Sequence, residues 1–226
     1  MHRIIQKAKE EKRSLLETEA KELLREYGIP VPDYKLIKSK DDLVKLSQEI
    51  NFPIVMKIVS PDIIHKSESG GVKIDIKDEQ KAILAYQEIM ENVKRYNSQA
   101  RIEGVIVYSF IPKQTEVIIG MIKDPHFGPV IMFGLGGIYV EVLKDISFRI
   151  IPIEKKDAEE MIAEIKGVEI LKGVRGESPG DIQAIEDVLM KISRLVEENP
   201  EIKELDLNPI FVFEKGLQVI DARMIL

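Results

Sequence analysis

An α+β fold in two halves is what this sequence predicts, with a ligand cleft between them. Three observations carry that expectation. The predicted elements fall into a group before residue 106 and a strand-richer group after it. The first half places Lys57 in the middle of an apolar strand, Pro53-Ile54-Val55-Met56-Lys57-Ile58-Val59, ahead of a small-residue loop, Ser67-Glu68-Ser69-Gly70-Gly71. The second half holds the most polar strand interiors, Glu204-Leu205-Asp206-Leu207-Asn208-Pro209 among them.

The elements follow from local pattern. Residues 1–13 are mostly charged and predict a tail or loose helix. Ser14-Leu15-Leu16-Glu17 reads as a capping box, opening a helix with Leu15, Leu16, Ala20, Leu23, Leu24 and Tyr27 at helical spacing; Gly28 and Pro30 close it. A strand is expected at 34–37, a short helix at 41–50 and a buried strand at 54–59. Val72, Ile74 and Ile76 alternate with polar residues, as in a half-buried strand. A helix over 79–96 and a buried strand over 104–111 complete the first subdomain, 14–106, and begin the second, 107–226. The second continues with strands at 115–122, 129–133, 139–142 and 146–151, punctuated by Asp124-Pro125 and Gly128-Pro129. A helix over 154–165 follows. Ser178-Pro179-Gly180-Asp181 opens another, with Ile182, Ile185, Val188, Leu189, Ile192, Leu195 and Val196 on one face. Two strands, 204–213 and 218–220, end the chain around the turn Glu214-Lys215-Gly216.

Composition narrows the function classes. A hydrophobic content of 44% can build a sizeable core, and the charged fraction of 32% with neither Cys nor Trp resembles a heat-adapted intracellular protein. Without Cys there is neither a disulfide framework nor a thiolate metal site. The net charge of −6 argues against nucleic acid as a partner. No apolar run reaches the roughly 18 residues of a membrane span, and the charged N-terminus lacks a signal-peptide core. The expected location is the cytoplasm.

Four groups of residues point to chemistry. A buried strand that carries an amine expects an anion to meet it, and a Gly-Gly loop can offer backbone N–H groups to phosphate oxygens, so Lys57 with Ser67–Gly71 is a candidate triphosphate cradle. The alternative is a snorkelling lysine beside a hairpin turn; no Walker loop occurs. Next, strand alternation puts Glu204, Asp206 and Asn208 on one face. With Glu214–Gly216 as the turn, Asp221 falls opposite Asn208, and a carboxylate beside a carboxamide oxygen suits Mg²⁺; a solvated polar sheet face is the alternative. Third, Phe133-Gly134-Leu135-Gly136-Gly137 either lets backbone approach a ligand or turns a hairpin. Asp145 and Arg149 follow with matching parity, either both facing the cleft or forming an exposed ion pair. Fourth, His65 lies between Lys57 and the glycine loop, where a histidine could bind phosphate, accept a phosphoryl group or be structural only.

Together, Lys57, Gly70-Gly71, Glu116 in Thr115-Glu116-Val117-Ile118-Ile119-Gly120, and the pair Asn208/Asp221 resemble an ATP-grasp fold, two α+β subdomains clamping a nucleotide. The longer strings 19–30, 60–72, 124–139 and 205–209 are similar to the ATP-binding beta subunit of ADP-forming acetyl-CoA synthetases, relatives of the succinyl-CoA synthetase beta subunit. The resemblance runs from about residue 14 to the end. It implies reversible conversion of acyl-CoA, ADP and phosphate to acid, CoA and ATP, through a phosphohistidine on a CoA-binding alpha subunit, in an α2β2 hetero-oligomer. It implies ATP or ADP and Mg²⁺ as ligands. Lys57 would hold phosphates, the loop with Ser67, Gly70 and Gly71 would cover them, the backbone of Ser109, Phe110 and Ile111 would meet adenine, and Glu116 would bind at or near the ribose. Asn208 and Asp221 would hold Mg²⁺. His65, in the matching segment His65-Lys66-Ser67, would relay the phosphoryl group, with Arg223 as a second catalytic residue. Where relatives often carry Gln or Glu at the hinge, this chain has Tyr108-Ser109-Phe110, so adenine contact is expected from backbone. Rival readings are an ATP-grasp carboxylate ligase of another kind and a non-catalytic nucleotide-binding regulatory module.

Overall fold

The computed structural model describes residues 2–137, 144–174 and 178–226. It divides the chain into two units, Pro32–Pro112 and a second that joins Met1–Val31 to Lys113–Leu226. This corrects the expected division at residue 106. Residues 14–31 fold with the C-terminal half, and the boundary before that half lies at 112.

The N-terminal segment explains the difference. Its charged stretch is a packed helix, α1 (Arg3–Glu10), that buries Ile4, Ile5 and Ala8. Helix α2 (Glu17–Glu26) begins later than the expected capping box: the Glu19 carboxylate accepts the Leu16 amide at 2.9 Å and also takes the Arg13 guanidinium. Its buried face, Ala20, Leu23 and Leu24, joins the C-terminal core. The Leu15 amide donates to the carbonyl of Met224 at 3.1 Å, tying the segment to the last strand.

The unit Pro32–Pro112 contains β1 (Lys35–Ile37), α3 (Lys40–Ser47), β2 (Ile54–Val59), β3 (Val72–Ile76), α4 (Glu79–Tyr96) and β4 (Gly104–Ser109). Ser39 and Asp42 form a reciprocal capping box at α3, and Asp78 caps α4 by accepting the Lys81 amide. The strands form an antiparallel sheet ordered β1-β4-β2-β3. Alternation sends Ile54, Met56 and Ile58 with Val105 and Val107 into one core with Ala82, Ala85, Ile89 and Val93 of α4. Lys57 and Tyr108 therefore belong to the opposite sheet face. In β3 the pairing slips between Ile54 and Met56, and Asp75 takes φ 58°. That bulge breaks the expected alternation and leaves Ile74 exposed.

The other unit adds β5 (Thr115–Asp124), β6 (Gly128–Leu135), β7 (Ile146–Ile150), α5 (Lys155–Glu164), α6 (Val168–Leu171), α7 (Ile182–Glu198), β8 (Glu204–Val212), β9 (Leu217–Val219) and β10 (Ala222–Ile225). The strand expected at 139–142 lies outside the described residues. Among the described residues the sheet order is β10-β8-β5-β6-β7, with β9 also paired to β8, all antiparallel. Val117, Ile119 and Met121 of β5, Phe133 of β6 and Leu205 and Leu207 of β8 pack against Ile185, Val188, Leu189 and Ile192 of α7. Each such side chain contributes about 1.5–3 kcal/mol by leaving water. The other sheet face carries Glu116, Gly120, Ile122, Asp206 and Arg223. Two features went unpredicted, the short α6 and the separate strand β10. No helix of the described chain is long and apolar enough to cross a membrane.

Candidate functional site

Lys57 is buried at 7% exposure, near the middle of β2, paired with Ile106 and Val72. Its Nζ lies 5.6 Å from the centre of the Tyr108 ring, a cation–π distance that orients the amine within the sheet face. The loop after β2 is a tight turn whose backbone groups are used internally. The amides of Ser69, Gly70 and Gly71 donate to the carbonyls of His65, Ser67 and Lys66. The two glycines have packing reasons: a Cβ on Gly71 would meet Ile58 Cγ2 at 2.5 Å, and one on Gly70 would meet Asn92 Nδ2 at 2.7 Å. The expectation that these amides face phosphate is therefore not met in this conformation. Ser67 is exposed, and so is His65, with its Nδ1 3.8 Å from Glu68 Oε1. Just upstream, Asp62 anchors the segment by accepting the Arg101 amide at 2.8 Å and its guanidinium at 3.0 and 3.1 Å. Those bonds hold the Asp62 carboxyl below the usual range.

Strand β4 ends at Ser109, two residues short of the expected end, and Phe110 donates its amide to the Pro53 carbonyl at 2.8 Å. Of the backbone groups expected to meet adenine, that one is already engaged.

In the other unit, Glu116 starts β5 beside the glycines of the third group. A Cβ on Gly136 would lie 2.8 Å from Glu116 Cβ, and the Gly136 amide donates to the Glu116 carbonyl at 2.7 Å. Glu116 is 3.5 Å from Lys113 Nζ and lines a recess of about 1130 Å³ with Thr115, Gly136, Gly137 and Ser178. Asp145 and Arg149 do neither of the things expected of them. The buried Asp145 carboxylate accepts the Lys166 and Gly167 amides, each at 2.7 Å, and so anchors the entry to α6. Arg149 lies on the helix-packed side of β7 and pairs with Glu160 and Glu164 of α5. The helix supplies partners that strand parity alone does not reveal.

Asn208 and Asp221 fall at facing positions of the sheet. In β8 the ladder joins Ile210 to Val219 and Leu207 to Ala222, so the same register sets Asn208 opposite Asp221. The next position along pairs Asp206 with Arg223 on the same face. The Asp206 carboxyl is raised above the usual range, by desolvation first and by the negative charge of Asp221 second, with Arg223 opposing. Two carboxylates that repel in this way fit a divalent cation. Among the described residues no group of three or more His, Cys, Asp or Glu side chains forms a closed metal cage. A two-residue oxygen set is nevertheless what Mg²⁺ uses when phosphate oxygens and water complete its shell. Sequence reading missed the Asp206–Arg223 pairing because β10 was not separated from β9; the alternation of Arg223 with buried Ala222 and Met224 was the available signal.

Comparison with known proteins identifies the family. A family model described as an ATP-grasp domain matches residues 6–226. The beta subunit of ADP-forming acetate–CoA ligase I from Pyrococcus furiosus is 56% identical over 99% of this chain and 96% of its own length. A solved acetyl-coenzyme A synthetase 1 from Ca. Korarchaeum cryptofilum, in complex with coenzyme A and Ca-AMPCP, superposes with TM-score 0.94 at 51% identity, covering 98% of this chain and 97% of that one. Another structure of that protein holds Mg-AMPPCP, with a phosphohistidine segment pointing towards the nucleotide binding site; it matches with TM-score 0.85 at 46% identity over 99% and 98% of the two chains. The chain belongs to the ATP-grasp family, among the beta subunits of ADP-forming acetate–CoA ligases.

Proposed function

We propose that this chain is the nucleotide-binding beta subunit of an ADP-forming acyl-CoA synthetase, which interconverts acetyl-CoA, ADP and phosphate with acetate, CoA and ATP in the cytoplasm. One observation carries the reading: the ladder register sets Asn208 against Asp221 and Asp206 against Arg223 in a chain alike end to end to such beta subunits. Lys57 neutralises nucleotide phosphates, and the loop bearing Ser67, Gly70 and Gly71 covers them after its internal bonds open. Backbone at Ser109–Ile111 meets adenine, and Glu116 meets the ribose. Asn208 and Asp221 hold Mg²⁺, which neutralises charge on the phosphates when bound. Arg223 faces the charge that develops on the transferred phosphoryl group.

The partner is a CoA-binding alpha subunit carrying a phosphohistidine, two copies of each chain forming the complex. Toward ATP, the histidine N–P bond breaks, the phosphorus bonds to a terminal ADP oxygen, and the ring nitrogen regains its lone pair. His65 serves as the relay, taking the phosphoryl group on its own ring nitrogen before ADP does. It is exposed on the loop that follows the Lys57 strand, and a second acceptor splits one long transfer into two short ones. The test is reconstitution. The purified chain alone should make no ATP from acetyl-CoA, ADP and phosphate, and adding the partner copurified from the native host should restore synthesis. Activity of the single chain would overturn the subunit reading.

A further inference from the structure

Strand register brackets Lys57. Ladder pairs join Lys57 to Ile106 and Val55 to Tyr108, so these four side chains fill two successive rows on the sheet face turned away from α4. Rows on one strand face stand about 7 Å apart, and a diagonal neighbour at that spacing is within reach of a long or aromatic side chain. Lys57 and Tyr108 are such a diagonal, and the amine closes it, with Nζ 5.6 Å from the ring centre. Val55, Ile106 and Tyr108 are all buried. A buried ammonium costs free energy unless its surroundings favour the charge. A carboxylate would favour it but cancel the charge that a phosphate needs. An aromatic face attracts the cation through its quadrupole and leaves the net charge in place.

Tyr108 is itself held in register. Strand β4 lies between β1 and β2, and just past the ring the Phe110 amide donates to the Pro53 carbonyl at 2.8 Å, closing the end of β4 onto the start of β2. Lys57 sits near the middle of β2, paired to β4 on one side and to β3 on the other. Neither backbone can shift without breaking the ladder. The ring therefore stands at a fixed place between two parts of the proposed nucleotide site: the lysine beside it, and the backbone of Ser109–Ile111 directly after it in the chain.

We infer that Tyr108 is a positioning residue for phosphate recognition, its ring fixing the Lys57 ammonium before the nucleotide arrives, an inference that rests on the nucleotide-binding reading above. Lysine carries its charge on a flexible four-carbon stem, and ordering that stem when a ligand binds costs affinity. Held against the ring, the side chain has that order already. Because the ring acts on the lysine and not on the base, its loss should weaken recognition of the diphosphate end and leave adenosine recognition alone. The face of the ring does this and the hydroxyl does not, so phenylalanine should serve as well as tyrosine.

The experiment measures ADP and adenosine binding to the full chain by calorimetry, with Tyr108→Leu, Tyr108→Phe and Lys57→Met as variants. Tyr108→Leu should weaken ADP binding by about tenfold and leave adenosine at its wild-type affinity, while Tyr108→Phe should match wild type for both. Added to Lys57→Met, Tyr108→Leu should cost ADP binding nothing further. Phenylalanines bearing one, two and three ring fluorines at position 108 keep the shape and drain the quadrupole, so ADP affinity should fall stepwise along that series. Should Tyr108→Leu fail to fold, the fluorinated series decides by itself. Equal loss of ADP and adenosine binding in Tyr108→Leu, a Tyr108→Phe variant as weak as Tyr108→Leu, or a flat fluorine series would each overturn the inference. If Lys57→Met binds ADP as wild type does, the phosphate role of Lys57 falls, and this inference with it. If Lys57→Met loses affinity and Tyr108→Leu does not, this inference falls alone.

Discussion

Replacing Lys21 with Met should destabilise the chain by about 3–5 kcal/mol, through what it leaves behind. Lys21 Nζ lies 2.7 Å from Glu17 Oε1 on α2, with side-chain exposures of 0% and 1%. At that distance the attraction is about 6 kcal/mol for an effective dielectric of 20, and burial of both charges offsets much of it. The i,i+4 spacing fixes the geometry, so little side-chain order is needed to form the pair. In Lys21→Met the methionine fills the space, and the Glu17 carboxyl stays buried without its lysine. Its pKa must then rise. The native state of the variant binds a proton that the unfolded state releases, so its stability falls as pH rises from the ordinary glutamate range to the raised value. The slope approaches about 1.4 kcal/mol per pH unit. Urea unfolding from pH 5 to pH 8 reads both quantities. Wild type should lack this added slope, and Glu17→Gln/Lys21→Met should recover part of the loss and remove it. A loss below about 1 kcal/mol, or a variant with the wild-type pH dependence, would refute the reasoning.

Lys57→Ala should weaken ADP and ATP binding by about tenfold or more with the fold retained, and calorimetry showing unchanged affinity would remove Lys57 from the phosphate site. Asp221→Asn should raise the magnesium concentration needed for turnover and lower the rate by orders of magnitude; wild-type magnesium dependence would rule out Asp221 as a ligand. His65→Asn keeps one hydrogen bond but cannot carry phosphate, so transfer to ADP should nearly vanish while the partner histidine is still phosphorylated from acetyl-CoA and phosphate. Retention of more than about a tenth of the rate, a deficit of about 1.4 kcal/mol, would leave His65 a binding role only. The Asp206 carboxyl, raised partly by Asp221 and lowered by Arg223, should titrate lower in Asp221→Asn and higher in Arg223→Gln; carbon-detected NMR finding both shifts in the same direction would contradict the assigned couplings.

What the sequence disclosed about this site depended on whether the governing contacts were local. Helices α4 and α7 and strand β2 carry their own periodicity, so 79–96, the face from Ile185 to Val196, and 54–59 could be read directly. Asn208 opposite Asp221 was also legible, because one register runs through β9 and β10 and depends only on a turn near Gly216, whose φ is 78°. Asp145 and Arg149 were misread because their partners arrive on the later segment 160–167, where a main-chain turn and two glutamates outweigh strand parity. The helix opening at Ser14 was placed in the wrong half for the same reason: its apolar stripe was legible, but the sheet that receives it is completed only by Met224, near the other end of the chain. The glycines divide along the same line. Gly70 and Gly71 read as a phosphate cradle, yet the φ of 66° at Gly70 and the crowding of Gly71 by Ile58 give each glycine a structural reason. The aligned charges of Asp206 and Arg223 therefore support the proposed site more than the glycines do, because burial and the neighbouring Asp221 raise the Asp206 carboxyl instead of favouring its charge.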